Sequence, residues 1–288
     1  MIASQAGKLP VKLMCRVADV SRSGYYAARR RPESLRAMEN RRLVTQIEAI
    51  HHREKHKDSY GSRRMHVELV ARGYECGRHR VERLMRRHGI RAARRPPTVR
   101  RHKDDVPVRE AVVPDRLCRD FAVALPNRVW LDDITQFATG EGVLYLAFLL
   151  DLCSRMVVGW AGGAMKDRRL TVGVLEMALG WRQPPKELVH HTDRGGQYAC
   201  PDYAAVLREN GTLASMSRAG TPLDNAPMES FIKTFKVEFV EQHSFETRKE
   251  AITEAGKYLQ LFYNCERRHS ALGYISPAEY EKQLRSHA

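Results

Sequence analysis

Three apolar segments follow one another with only a few residues between them: NRVWLDDITQFAT (127–139), GVLYLAFLLDLC (142–153) and RMVVGWAGGAM (155–165). Runs of this length, rich in β-branched and aromatic residues and joined by turns too short for a crossover, read as three consecutive antiparallel strands. The pattern then changes. LTVGVLEMALGW (170–181) has helical spacing, ELVHH (187–191) is a short buried strand, and DYAAVLREN (202–210) is a helix stopped by Gly211. LASMS (213–217) is a further strand, and helix is expected from about Pro227 to Gln242 and from about Phe245 to Arg267. Strands first, then alternating helix and strand, describe an α/β fold with a mixed sheet flanked by helices.

The residues ahead of that frame are of another kind. VKLMCRVADVSRSGYYAARRR offers a helix, a break and a second helix capped by Ser21, and MENRRLVTQIEAIHHREKH sets Leu43, Ile47 and Ile50 at helical spacing. SRRMHVELVARG carries Met65 and Leu69 on one face and stops at Gly73. In GRHRVERLMRRHGI, Val81, Leu84, Met85 and His88 turn inward, with Arg78, Arg80, Arg83, Arg86 and Arg87 mostly outward. Two short helices around a glycine turn, the second rich in arginine, suit a helix-turn-helix in a DNA groove. Between Arg78 and Lys103 stand eleven Lys or Arg and one acid, and the whole chain carries a formal charge of +15. Such density points to a polyanionic partner, nucleic acid or an acidic membrane surface, with a helical bundle bearing a solvated basic face as the plainer alternative to DNA contact. The expected organisation is a helical DNA-binding region over 1–90, a basic linker over 91–126, a catalytic core over 127–245 and a helical extension over 246–288. Six scattered cysteines without a C-x-x-C pair, no apolar run that could span a bilayer and no leader at the N-terminus give a cytoplasmic expectation with no membrane contact.

Polar residues gather at three places on the α/β frame. The first strand carries Asp132 and Asp133, of which only one can face a shared site, because neighbouring strand residues point to opposite faces. HTDRGGQY sets Asp193 directly after the fourth strand, with a Gly-Gly pair expected to let the backbone turn sharply away. In AGTPLDNAPMESFIKTFKVE, Asp224 or Asn225 can cap a helix opened by Pro227. That helix sets Glu229, Lys233 and Lys236 on one arc and Met228, Phe231, Phe235 and Phe239 on another. An Asp on one strand, an Asp after its neighbour and a Glu on a helix supply the oxygen ligands that Mg²⁺ or Mn²⁺ prefer. Two such ions serve phosphodiester displacement, and the two lysines would pair with DNA phosphates.

WLDDIT, HTDRGGQY, SMSRAGTPLDNAPMES and YNCERRHSALGYISPAEY, in that order and preceded by YGSRRMHVEL, resemble the signature blocks of OrfB-type insertion-sequence transposases. The resemblance runs from about residue 60 to about residue 280. It implies an RNase H-like core related to retroviral integrases, with an acidic triad at Asp133, Asp193 and Glu229 and a basic residue seven positions on at Lys236. It also implies Mg²⁺-dependent cutting at terminal inverted repeats, with Mn²⁺ able to substitute and two ions per site. The freed 3′-hydroxyl then attacks a second phosphodiester, and the protein works as a homo-oligomer on double-stranded DNA, with a first-frame (OrfA) protein as partner or fusion. Asp133 precedes IT as the family's Asp does, while Asp132 stands where the family has Thr. Pro222-Leu223 replaces Cys-Trp, and Gly196 replaces a frequent Ser. The competing readings are a nuclease that cuts without joining and a DNA-binding repressor with a silent core. His190, His191 and Asp151 read as structural. Arg267, His269 and Ser270 stay open between DNA contact and C-terminal folding.

Overall fold

Alternation along the second apolar segment decides how the layers form. The structure, a computed structural model, describes residues 10–93, 113–218 and 220–286. In it, β1 (Val129–Thr139), β2 (Gly142–Asp151) and β3 (Val157–Gly163) form the expected antiparallel set. The β1–β2 hairpin runs from Trp130 opposite Asp151 to Thr139 opposite Gly142. Gly142 takes the turn at φ 109°, a conformation open to glycine. Two short parallel strands, β4 (Val189–Thr192) and β5 (Leu213–Met216), extend the sheet on the other side of β1, giving the order β3-β2-β1-β4-β5. The sheet is therefore mixed, with its longest strand at the centre and β4 ending before β1 does.

Because strand side chains alternate, each face has its own core. Trp130, Ala147, Leu149 and Val158 pack under α6 (Arg168–Arg182) and α7 (Pro201–Glu209). Leu131, Leu146, Phe148 and Leu150 pack under α8 (Ala226–Glu238) and α9 (Arg248–Lys257) with its π-type continuation Tyr258–Tyr263. Asp167 caps α6 by accepting from the Leu170 N–H at 3.1 Å. A last helix, α10 (Pro277–Ser286), is tied back by Glu281, which accepts from Arg182 and from the Ser154 hydroxyl at 2.8 Å each.

Ahead of the sheet lie α1 (Val11–Val17), α2 (Arg22–Arg30), α3 (Leu35–Glu48), α4 (Ser62–Ala71) and α5 (Arg78–Arg87). Ser21 and Ser34 cap α2 and α3. Leu43, Ile47, Ile50, Met65, Leu69, Val81, Leu84 and Met85 are buried together, in one continuous core with α8 and α9. Polar contacts fix the same junction: Arg268 pairs with Glu68 at 3.1 Å and donates its N–H to the Tyr60 hydroxyl at 3.0 Å.

Several expectations need correcting. His88 is exposed, because α5 ends at Arg87 and the chain leaves through Gly89 at φ 70°. The helix expected over Phe245–Arg267 starts at Arg248 and closes with the π-type turn at Tyr263, after which Asn264 bonds across to the β3 backbone. The later part of the 91–126 span lies against the core. Leu117 is buried, and the Arg116 N–H donates to Ser215 Oγ at 2.9 Å beside β5. RRPPTVRRHKDD and most of VPVREAVVPDR lie outside the described residues. No helix among the described residues is long and apolar enough to cross a membrane.

Candidate active site

The parallel pairing of β1 with β4 brings the first two acids together. Val129, Trp130 and Leu131 pair with Val189, His190 and His191, each partner lying 60 positions on. Carried past the end of β4, that register sets Asp193 beside Asp133, which also lies 60 positions back. Both residues are half-buried. Asp133 Oδ1 accepts from the Ile134 N–H at 2.7 Å, and Asp193 Oδ1 from the Gly195 N–H at 2.8 Å. One oxygen of each carboxylate is thus held by local backbone. Gly195 makes this turn at φ −62°, and neither glycine of the pair has a positive φ. A side chain on Gly195 would run into Gln197, whereas Gly196 faces open space.

Glu229 sits in the first turn of α8 and is exposed. The face of α8 opposite its polar arc holds it in place: Met228, Phe231, Phe235 and Phe239 are buried, with Phe148 of β2 edge-on to Phe231 and Phe235 at 5.1 Å each. Lys233 is exposed and Lys236 half-buried on the arc of Glu229. The acids act on one another. Burial, then Asp193, Asp132 and Glu229, push the Asp133 carboxyl up to about 7, against the lowering effect of its Ile134 hydrogen bond. Among the described residues, no three His, Cys, Asp or Glu side chains stand close enough to form a ready-made cage for a cation. The donor set still fits a hard divalent cation: all-oxygen, with two half-buried carboxylates and one exposed, and mutually repulsive until a positive charge enters.

Asp132 belongs to the other face. It is fully buried and accepts from the Tyr198 hydroxyl at 2.7 Å and the Tyr203 hydroxyl at 3.0 Å. His190 contacts Tyr203 and lies 3.6 Å from Asp132. His191 lies between Ser215 Oγ at 2.8 Å and Ser217 Oγ at 2.9 Å, with burial lowering its pKa. Asp151, at the end of β2, accepts from Asn127 and Ser154 backbone N–H groups. All four side chains are buried within these contacts. Arg267 forms a buried pair with Glu238 through two 2.7 Å hydrogen bonds.

The expected cap of α8 is not made. Asn225 occupies the cap position without a side-chain cap bond, and its amide lies 3.4 Å from the Asp132 carbonyl. Asp224 instead clamps two arginines, accepting from Arg119 Nε at 2.7 Å and from Arg218 Nε and Nη2 at 2.9 Å each. These guanidiniums hold its carboxyl far below the ordinary range. The loop before Glu229 is therefore anchored to the segment ahead of β1, a role with no local signal, since Arg119 lies 105 positions away.

The α5 arginines lie on the N-terminal helical unit. Arg78, Arg83, Arg86 and Arg87 are exposed, while Arg80 is turned onto Asn40 at 2.8 Å and Glu39 at 2.9 Å of α3.

Two family models described as integrase core domain match residues 124–222 and 210–277, and one described as HTH-like domain matches 38–98. The chain is 40% identical to an insertion element IS600 protein of 31 kDa from Shigella sonnei, covering 94% of this chain and 98% of that one. It is 37% identical to the transposase InsF for insertion sequence IS3A of Escherichia coli K12, covering 98% and 97%. The transposase for insertion sequence element IS904 of Lactococcus lactis is 39% identical, over 88% of this chain and 98% of its own. Among solved structures, the HTLV-2 integrase catalytic core domain in complex with magnesium aligns at 16% identity and TM-score 0.43, over 55% of this chain and 97% of that one. The chain belongs to the IS3 family of insertion-sequence transposases, polynucleotidyl transferases built on an integrase core that follows an HTH-like domain.

Proposed function

We propose that this transposase cuts DNA at the terminal inverted repeats of its element and joins the freed 3′-hydroxyl to a second phosphodiester, with Asp133, Asp193 and Glu229 holding two Mg²⁺ ions, or Mn²⁺ in their place. The observation that carries this reading is the β1–β4 register, which sets Asp133 beside Asp193 on the sheet face that α8 covers. When bound, such a metal pair activates an attacking oxygen and stabilises a leaving one in phosphodiester displacement.

The chain's own groups would bind and orient. Asp133 and Asp193 each keep one oxygen on the backbone and offer the other to a cation. Glu229 reaches from a helix whose aromatic face fixes its position. Lys233 and Lys236 would pair with phosphates flanking the scissile bond. Arg78, Arg83, Arg86 and Arg87 would hold the duplex through its backbone, with Arg80 bracing α5 against α3. In this reading residues 1–90 bind element ends, 91–126 connect them to the core at 127–245, and 246–288 buttress α8. Two ends must be held at once, so the working form is a homo-oligomer assembled on DNA, with a first-frame partner improving end recognition.

The test is strand transfer on labelled element ends with Mg²⁺, with and without the first-frame protein. Joined donor–target product supports the reading. Nicked DNA without joining favours a nuclease, and binding with neither product favours a repressor.

A further inference from the structure

On the flank of α8 next to Glu229 lies an open groove of about 350 Å³ that the reading above does not use. Arg64, Arg155 and Arg267 line it, with Ser230 and Thr234 of α8 on one side and Ser270 on the other. Ser230 directly follows Glu229, and Ala226 and Pro227 also line the groove, so the groove and Glu229 share the N-terminal end of one helix. Three guanidiniums face it: Glu238 is bonded to Arg267 at 2.7 Å and lies 3.6 Å from Arg64, while Arg155 feels the Asp151 carboxylate without forming a salt bridge to it. No salt bridge among the described residues involves Arg155.

Arg155 is held there deliberately. It sits at φ 59°, in the left-handed region that costs a side-chain-bearing residue energy and persists only where the surroundings impose it. The surroundings do so: its N–H donates to the Asp151 carbonyl at 2.8 Å, and the Asp151 carboxylate accepts from the N–H and hydroxyl of Ser154 at 2.8 and 3.1 Å. A strained turn on a rigid mount thus sets a half-buried guanidinium, without a salt bridge among the described residues, in a groove lined by hydroxyls. The local potential registers on His269, which also lines the groove. Burial, with Arg267, Arg64 and Arg155, drives its pKa down to about 2, so the imidazole stays neutral.

We propose that this groove seats one phosphodiester of the DNA strand entering the site beside Glu229, gripped by Arg155 and Arg64 with Ser230 and Ser270 donating to the phosphate oxygens. The proposal rests on the DNA-joining reading above and names where that strand is held. A guanidinium fork matches phosphate bidentately, and the uncapped first turn of α8 adds its favourable dipole.

The test uses the full chain and a duplex carrying the element end, with Ca²⁺ in place of Mg²⁺ so that DNA is bound uncut. Arg155→Gly removes the guanidinium at a position where glycine relieves the backbone, so the fold is retained. Affinity should fall about tenfold. The slope of log K against log salt should become shallower by about 0.9, the value for one lost phosphate contact. One methylphosphonate position should weaken the wild type about tenfold and Arg155→Gly by less than about twofold, since both changes remove the same contact. Ser270→Glu, at an exposed position, should weaken binding at least as much. An unchanged slope in Arg155→Gly, with additive methylphosphonate effects at every position, would overturn the assignment, as would full affinity in Ser270→Glu. Strand transfer scored in Mg²⁺ separates the two claims. A wild type with this phosphate signature but no joined product contradicts the joining reaction and leaves the groove standing; joining without the signature does the reverse.

Discussion

At the scale of single residues, the adjacent pair Asp132 and Asp133 divides two tasks between the faces of one strand. Asp132 accepts two tyrosine hydroxyls in full burial. Asp132→Ala should therefore destabilise the fold by about 2–4 kcal/mol, because buried donors lose their partner, as read by denaturant unfolding. Asp133 behaves oppositely. Its folded pKa is raised to about 7 by burial and by neighbouring acids. An acid with a raised folded pKa costs stability as pH rises from its ordinary value through 7. Asp133→Asn should thus unfold at a higher temperature than the wild type at pH 8, equal it near pH 4, and lose strand transfer altogether. Mg²⁺ should raise the wild-type melting temperature and narrow the gap. A variant less stable than wild type at pH 8 would contradict this account of the site.

At the scale of elements, α8 carries Glu229 on one arc because its aromatic arc is anchored in the sheet. Phe235 is fully buried between Phe148 and Tyr258, so Phe235→Ala should cost about 3–5 kcal/mol. The loop leading into α8 depends on Asp224, whose arginine partners are partly exposed and can rehydrate. Asp224→Ala should therefore speed hydrogen exchange across Ser217–Asn225 while leaving the global midpoint nearly unchanged; an equal loss of global stability would refute a local role. Sheet and flanking helices were legible because the apolar runs mark the strands; the three acids were singled out by the blocks around them, and the 60-residue β1–β4 offset that relates Asp133 to Asp193 emerges only in the fold. Other features were not legible for physical reasons. Aromatic spacing continues through Tyr258, Leu259, Phe262 and Tyr263, so nothing in the pattern marks the change to a π-type turn. The Asp224 clamp and the Arg155 mount are tertiary, and local propensity rules read Asp224 as a helix cap.

At the scale of the molecule, the helical N-terminal unit is fastened to the core by charge as well as by apolar packing. Glu68 is shielded from water and accepts from Lys57, Arg72 and Arg268, which together hold its carboxyl down to about 2 despite the opposing effect of burial. A depressed acid contributes stability that is present above the unfolded value near 4.5 and lost as pH falls toward 2. Glu68 alone should account for on the order of 3 kcal/mol across that window. His269, kept neutral in the fold, adds acid lability that begins below its unfolded value of about 6.5. Glu68→Gln should flatten the acid limb of the stability profile between pH 4.5 and 2, with the limb between 6.5 and 4.5 unaffected. Wild-type and variant profiles of the same shape would show that the junction is not held by Glu68.

The central claim is that Asp133, Asp193 and Glu229 act together on DNA through a metal. Strand transfer on labelled element ends with Mg²⁺, run beside Glu229→Gln, tests it most directly. The account predicts joined donor–target product from the wild type and none from the variant, with DNA binding by the variant intact. Joined product persisting in Glu229→Gln would contradict it.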